Sequence, residues 1–208
     1  MTGIVSQNVG RTSGLIKTVS AGGTWTLIKT LTSGGSDDDL SFLNGTSDVV
    51  FDATYPIYRF SFINIHPETD DTRVTFQVDT GTNTNYNQTI TSTVFRAYQN
   101  EGGTGSGLGY RTAIDQAQGT AFQAISESLG NGNDESASGE LFIYDPTSTT
   151  FAKHFMAKMQ NYSNDSESIN TFVGGYVNTT TALTRVQFKI SSGEIQGGKI
   201  KLYGLSDS

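Results

Sequence analysis

Two histidines, His66 and His154, are the only imidazoles in the chain, and it has no cysteine. Without a thiolate there is no cysteine nucleophile, no disulfide and no Cys-ligated zinc or iron–sulfur site. His66 opens the turn His66-Pro67-Glu68-Thr69-Asp70-Asp71. The acids of that turn are expected to bond backbone or face solvent rather than serve a general base. His154 stands among residues that alternate in character and reads as a surface or structural histidine. No Gly-x-Ser-x-Gly elbow occurs, so the many serines and threonines carry no hydrolase signature.

The glycine-rich run Gly102–Gly109, GGTGSGLG, invites a phosphate-binding interpretation. It lacks the Lys and Ser/Thr of a P-loop, and its glycines miss the dinucleotide-binding spacing. It reads as a flexible loop or an assembly contact. The acidic stretches Asp37–Asp39, Asp70–Asp71 and Asn133-Asp134-Glu135 offer oxygens of the kind calcium takes, in no ordered calcium-loop spacing. Nor do the 20 acids single out a pair for glycoside hydrolysis. The expectation is therefore a non-enzymatic protein with no catalytic, cofactor-binding or metal-ligating residue.

Charged residues make up 16% of the chain, against about 25% in typical soluble domains. The surface must then be built largely from Ser, Thr, Asn, Gln and Gly, which suits packed assemblies and sugar-facing proteins. Net charge is −7 and no Lys/Arg run exists, so the clustered cations that release counterions from nucleic acid are missing. Anionic membrane is not expected as a partner for the same reason, and no apolar run reaches the about 20 residues of a spanning helix. The N-terminus, MTGIVSQNVGRTSG, lacks the charged start and apolar centre of a signal peptide.

The elements that must position any function centre on Tyr58–Asp79. Tyr58, Phe60 and Phe62 alternate with Arg59 and Ser61, the period of a half-buried strand. After the turn at Pro67, Val74, Phe76 and Val78 alternate with Arg73, Thr75 and Gln77. This predicts an antiparallel hairpin with one apolar face and one wet one, tolerant of charge at Arg73 or Thr75. Further strands are expected over Leu15–Val19, Trp25–Leu31, Gln88–Tyr98, Glu140–Tyr144, Thr149–Met159, Thr171–Val177, Arg185–Ile190 and Lys199–Tyr203. In residues 110–129, Gly119 favours two strands over one helix. About ten short strands with turn signals between them predict an all-β, single-domain antiparallel β-sandwich, jelly-roll-like. Residues 1–14 are expected to form an extended N-terminal arm ordered by a neighbouring subunit, and residues 15–208 the sandwich.

Five landmarks occur together in order: Gln7-Asn8-Val9-Gly10-Arg11-Thr12-Ser13-Gly14, Asn64-Ile65-His66-Pro67, Ala117-Gln118-Gly119-Thr120, Asp145-Pro146-Thr147-Ser148-Thr149-Thr150 and Leu202-Tyr203-Gly204-Leu205. With them the chain resembles, over nearly its whole length, a group of proteins of similar size from marine tailed bacteriophages, notably those infecting cyanobacteria. The resemblance carries no catalytic or binding residue onto this chain. It implies a virion structural protein, made and assembled in the host bacterial cytoplasm, whose partners are other phage virion proteins. A homo-oligomer is expected, with a trimer favoured, placed either in the tail or fibre or as a head decoration protein. The alternative from a different class is a lectin-like module that contacts host surface glycans through an exposed aromatic such as Tyr86, Tyr110 or Tyr162.

Overall fold

Alternating side chains become twelve β-strands, with no helix, in the computed structural model, which describes residues 23–207. The arm at residues 1–14 and the strand expected at Leu15–Val19 lie outside the described residues. The strands are β1 (Trp25–Thr32), β2 (Leu40–Leu43), β3 (Ile57–Pro67), β4 (Val74–Thr80), β5 (Ile90–Asn100) and β6 (Ser106–Tyr110). After them come β7 (Gln123–Ala124), β8 (Ala137–Tyr144), β9 (Lys153–Tyr162), β10 (Glu167–Val177), β11 (Leu183–Ile190) and β12 (Ile195–Leu205). They form two antiparallel sheets, one of eight strands in the order β1-β12-β3-β8-β9-β10-β5-β6 and one of four in the order β2-β11-β4-β7. The fold is thus the all-β sandwich that the alternation predicts.

The core is the space between the sheets. Tyr58, Phe60 and Phe62 of β3 are buried while Arg59 and Ser61 are only half-buried on the opposite face. Phe155, Ala157 and Met159 point inward from β9, between exposed His154, Met156, Lys158 and Gln160. From the small sheet, Phe188 on β11 meets Phe60 at 5.0 Å and Phe62 at 5.1 Å, edge to face. Phe76 on β4 meets Phe155 at 5.0 Å. Such edge-to-face pairs add about 0.5–1.5 kcal/mol each beyond the area they bury. At one end of the core, the Tyr58 hydroxyl donates to Asp52 O and accepts from Asp52 N, and burial pushes its pKa up to about 12.

The order of the strands has an inner regularity. Strands β1-β12-β3-β8 make one four-stranded layer and β2-β11-β4-β7 the other, and the chain alternates between them except at β4 and β7. The remaining strands enter as two hairpins, β5–β6 between β4 and β7, and β9–β10 between β8 and β11. Both join the same layer beside β8 and double its width.

Four expectations are corrected. Tyr58–Asp79 is not a hairpin: β3 and β4 lie in different sheets, and the His66–Asp71 turn carries the chain across the core. Accordingly β4 has no wet face, since Thr75 and Gln77 are as buried as Val74 and Phe76. Thr75 Oγ1 donates to Lys189 O at 3.0 Å, and the Gln77 amide donates to Gln88 O, Thr120 O and Ala121 O. The Gly102–Gly109 run is not all loop, because β6 begins at Ser106 and pairs with β5. In residues 110–129 no helix forms, but β7 spans only Gln123–Ala124, and the second strand is reduced to an isolated bridge of Gly119 with Ile90.

Burial of both faces of β4 changes what its substitutions do. Phe76→Asp should destabilise by about 3–5 kcal/mol, because it buries a charge without a partner in the core, and Thr75→Asp by about 1–3 kcal/mol, because it loses the hydroxyl's bond to Lys189 O and buries a carboxylate with only the half-buried Lys189 opposite. Urea denaturation of the two variants checks this; a Thr75→Asp protein as stable as the parent would refute the two-sided burial of β4.

Candidate functional surface on the widened sheet

The four added strands β9, β10, β5 and β6 need a cover on their inner side beyond what the small sheet provides. The segment that follows β6 supplies it through buried polar groups. Gln123 is fully buried; its amide donates to Ile114 O and Ala124 O, and its Oε1 accepts from Ser92 Oγ at 2.7 Å. Glu127, 1% exposed, pairs with Arg96 of β5 at 3.2 Å and accepts a hydrogen bond from Arg111 Nε at 2.8 Å. A second Arg111 nitrogen, Nη2, contacts the same carboxylate oxygen. Asn161 of β9 donates to Glu127 O at 2.9 Å. One acid thus ties two added strands and the covering segment together. At the far end of β9, the fully buried Lys153 ammonium donates to Ser148 O, Phe151 O and Thr179 O, and desolvation lowers its pKa.

With its inner side sealed, the large sheet turns its outer face to solvent among the described residues, and register sorts that face into rows. One row runs Leu27, Tyr203, Arg59, Phe142, Met156. Within it the Arg59 guanidinium lies 4.4 Å from the Trp25 ring centre and 4.7 Å from that of Tyr203, a two-sided cation–π contact. The next row runs Glu140, Lys158, Phe172, Phe95, Tyr110. Phe95 stacks on Phe172 at 4.9 Å with ring planes 9° apart. Leu108 follows one row on, opposite Ala97. Phe95, Tyr110 and Leu108 are 44%, 52% and 75% exposed, an apolar corner at the β6 edge.

Away from the β6 edge the row of Leu108 is polar, and so is the one beyond it. Ser138, Gln160 and Asn170 stand side by side, then Tyr162, Ser168 and Gln99. They line a groove of about 470 Å³ and an adjoining hollow of about 280 Å³. The amides are held in place: Asn170 donates to Gln160 Oε1 at 3.0 Å and Gln160 to Ser168 Oγ at 2.8 Å. A hydrogen bond to the Glu101 carboxylate raises the pKa of the Tyr162 hydroxyl and anchors that ring at the groove.

The residues weighed for chemistry are scattered. His66 Nδ1 lies 2.7 Å from Glu135 O and, with Asn131 bonded to Glu68 O and Asp70, ties the 66–71 turn to the 131–135 loop. His154 is exposed, its ring 6.3 Å from Tyr176. Asp37 closes its own loop by accepting from Ser33 Oγ and Gly34 N. Among the described residues no group of three or more His, Cys, Asp or Glu could hold a metal ion. Of the three tyrosines, Tyr162 reaches the groove, Tyr110 sits at the apolar corner with its hydroxyl on Asp115 at 2.7 Å, and Tyr86 packs 6.4 Å from Phe122. Glu127 escapes sequence reasoning, although one signal is present: it is the single charge in Ala121–Gly130, AFQAISESLG. No protein-family model, curated protein or solved structure matches the chain.

Glu127→Ala leaves the partly exposed Arg96 and Arg111 guanidinium groups without their shared carboxylate, so it should cost about 1–3 kcal/mol and speed amide exchange across Ser106–Tyr110. Thermal denaturation with hydrogen exchange tests this. An unchanged melting temperature together with unchanged exchange in β6 would remove Glu127 from its supporting role.

Proposed function

We propose that this chain is a non-enzymatic, self-associating building block of a virus particle. In the setting implied by its phage resemblance, it is a tail or fibre component or a head decoration protein, made in the bacterial cytoplasm and carried on the virion with other virion proteins. The observation that carries the proposal is the apolar corner of Phe95, Leu108 and Tyr110, exposed on the edge strand β6 and its neighbour β5. Contiguous exposed apolar side chains mark interaction sites in soluble proteins. The interleaved layers β1-β12-β3-β8 and β2-β11-β4-β7 support describing the frame as a jelly roll with two inserted hairpins. Viral capsid domains share that architecture, a fold-level analogy only.

Light scattering over a range of concentrations is the direct test. The parent protein should be a dimer or larger, and Leu108→Lys should shift it to monomer with an unchanged melting temperature, since Leu108 is 75% exposed. A parent protein that stays monomeric throughout overturns self-association. Binding to empty capsids separates decoration of the head from placement in the tail, which predicts binding to host envelope polysaccharide instead.

The groove supports a second activity, binding of a neutral carbohydrate. Its lining is amide and hydroxyl, with the Glu101 carboxylate and the tyrosine it anchors, groups that match sugar hydroxyls and the apolar face of a sugar ring. Titration with maltohexaose and cellohexaose should shift the side-chain amide resonances of Gln160 and Asn170, with Gln160→Ala weakening binding about tenfold, or 1.4 kcal/mol. No shift with either sugar at about 10 mM, ten times a millimolar Kd, would overturn it.

A further inference from the structure

An edge strand offers unpaired N–H and C=O groups to any passing strand, and natural sheets blunt their edges with charge, proline, bulges or shortness. Three of the four edges here are blunted. Strand β1 carries Lys29 and a register shift between Leu27 and Lys29. Strand β2 has four residues and β7 has two. Strand β6, Ser-Gly-Leu-Gly-Tyr, is five residues long, pairs with β5 in unbroken register, and has neither charge nor proline. Among the described residues it is the unprotected edge.

We infer that β6 pairs antiparallel with β6 of a second copy about a two-fold axis through Leu108, joining two eight-stranded sheets edge to edge. The inference rests on the building-block function proposed above and gives it a geometry. A two-fold contact brings each patch against itself, so it requires a surface that is complementary to its own copy. Strand β6 meets that condition. Its middle residue is Leu108, the most exposed of the large apolar side chains, and about that centre Ser106 lies opposite Tyr110 of the second copy. No charge would face its twin, which matters in a chain with 20 acids and 13 cations. Leu108 and Tyr110 share the outer face with Phe95 and Phe172, so pairing joins the two apolar corners into one patch across the seam. The expected unit is a dimer or a multiple of it, in place of the trimer that the phage resemblance favours.

The absence of cysteine makes the geometry testable by single substitutions in the full chain. Leu108→Cys places two thiols on the axis, where facing Cβ atoms in an antiparallel pair lie about 4.5–5.5 Å apart. Tyr110→Cys places them about 13 Å apart, at about 3.3 Å per residue, beyond disulfide reach. Under mild oxidation, Leu108→Cys should form covalent dimer and Tyr110→Cys almost none, a difference of about tenfold or more. The double variant Ser106→Cys, Tyr110→Cys should cross-link again. If the parent protein is oligomeric but Leu108→Cys does not cross-link, or Tyr110→Cys cross-links equally well, the two-fold pairing is wrong and the building-block function stands. A parent protein that is monomeric at every concentration refutes both.

Discussion

The contact on which the rest of the molecule depends is Phe188 against Phe60 and Phe62. Strand β11 lies between β2 and β4 in the small sheet, and β3 lies between β12 and β8 in the large one. Phe188 also reaches Phe42 at 6.1 Å and Phe76 at 6.4 Å, so one side chain touches aromatic rings from β2, β3 and β4. A sandwich has only this interdigitation to hold its layers, because every backbone hydrogen bond of a sheet runs within the sheet. The outer face of the large sheet can carry a groove and an apolar corner because the inner face is satisfied here.

Much of the architecture could be read from residue order, and the failures have physical causes. Period-2 alternation located β1, β3 and β11, and runs of strand-forming residues between turn signals located β5, β8, β9, β10 and β12. It misassigned the partner of β4. Alternation tells which face of a strand is buried, but a turn such as His66–Asp71 can close a hairpin or cross between layers with similar residues. Thr75 and Gln77 read as wet because their polarity is visible in the sequence, whereas the carbonyls that satisfy them come from residues 11 to 114 positions away. Strand β6 was hidden by its glycines. Gly107 lies under the Tyr98 ring, where an added Cβ would stand 2.8 Å from a ring carbon. Gly107 serves close packing as much as flexibility.

The candidate surface was less legible than the fold. Tyr162 and Tyr110 were singled out as exposed aromatics, and each lies at one of the two features of the outer face. Gln160, Asn170 and Ser168 had no individual signal, since amides and hydroxyls are everywhere in this chain, and only the register of β9 with β10 brings them together. Both features lie on strands inserted into the frame, with one strand of the frame, β8, at the groove's margin. The frame supplies stability, and the inserted hairpins supply the surface on which it can act. Glu127 is the link between them: the covering segment is held to the inserted strands by an ion pair and by its backbone carbonyl.

The position of β11 and β12 in both sheets also sets the order in which the molecule can come into being on the ribosome. Strand β12 lies between β1 and β3, and β11 between β2 and β4, so four early strands wait for neighbours made more than a hundred residues later. Until then neither layer has its middle, Phe60 and Phe62 have no Phe188 to meet, and apolar edges stay open. Pairings of such long sequence separation form slowly and leave aggregation-prone intermediates. The nascent chain therefore keeps apolar surface open until Leu183–Ile190 and Ile195–Leu205, the strands β11 and β12, emerge. A truncation that removes only β12 would uncover β1 and β3 along their lengths and yield an aggregating chain, although it takes away no residue of the groove or of the β6 corner.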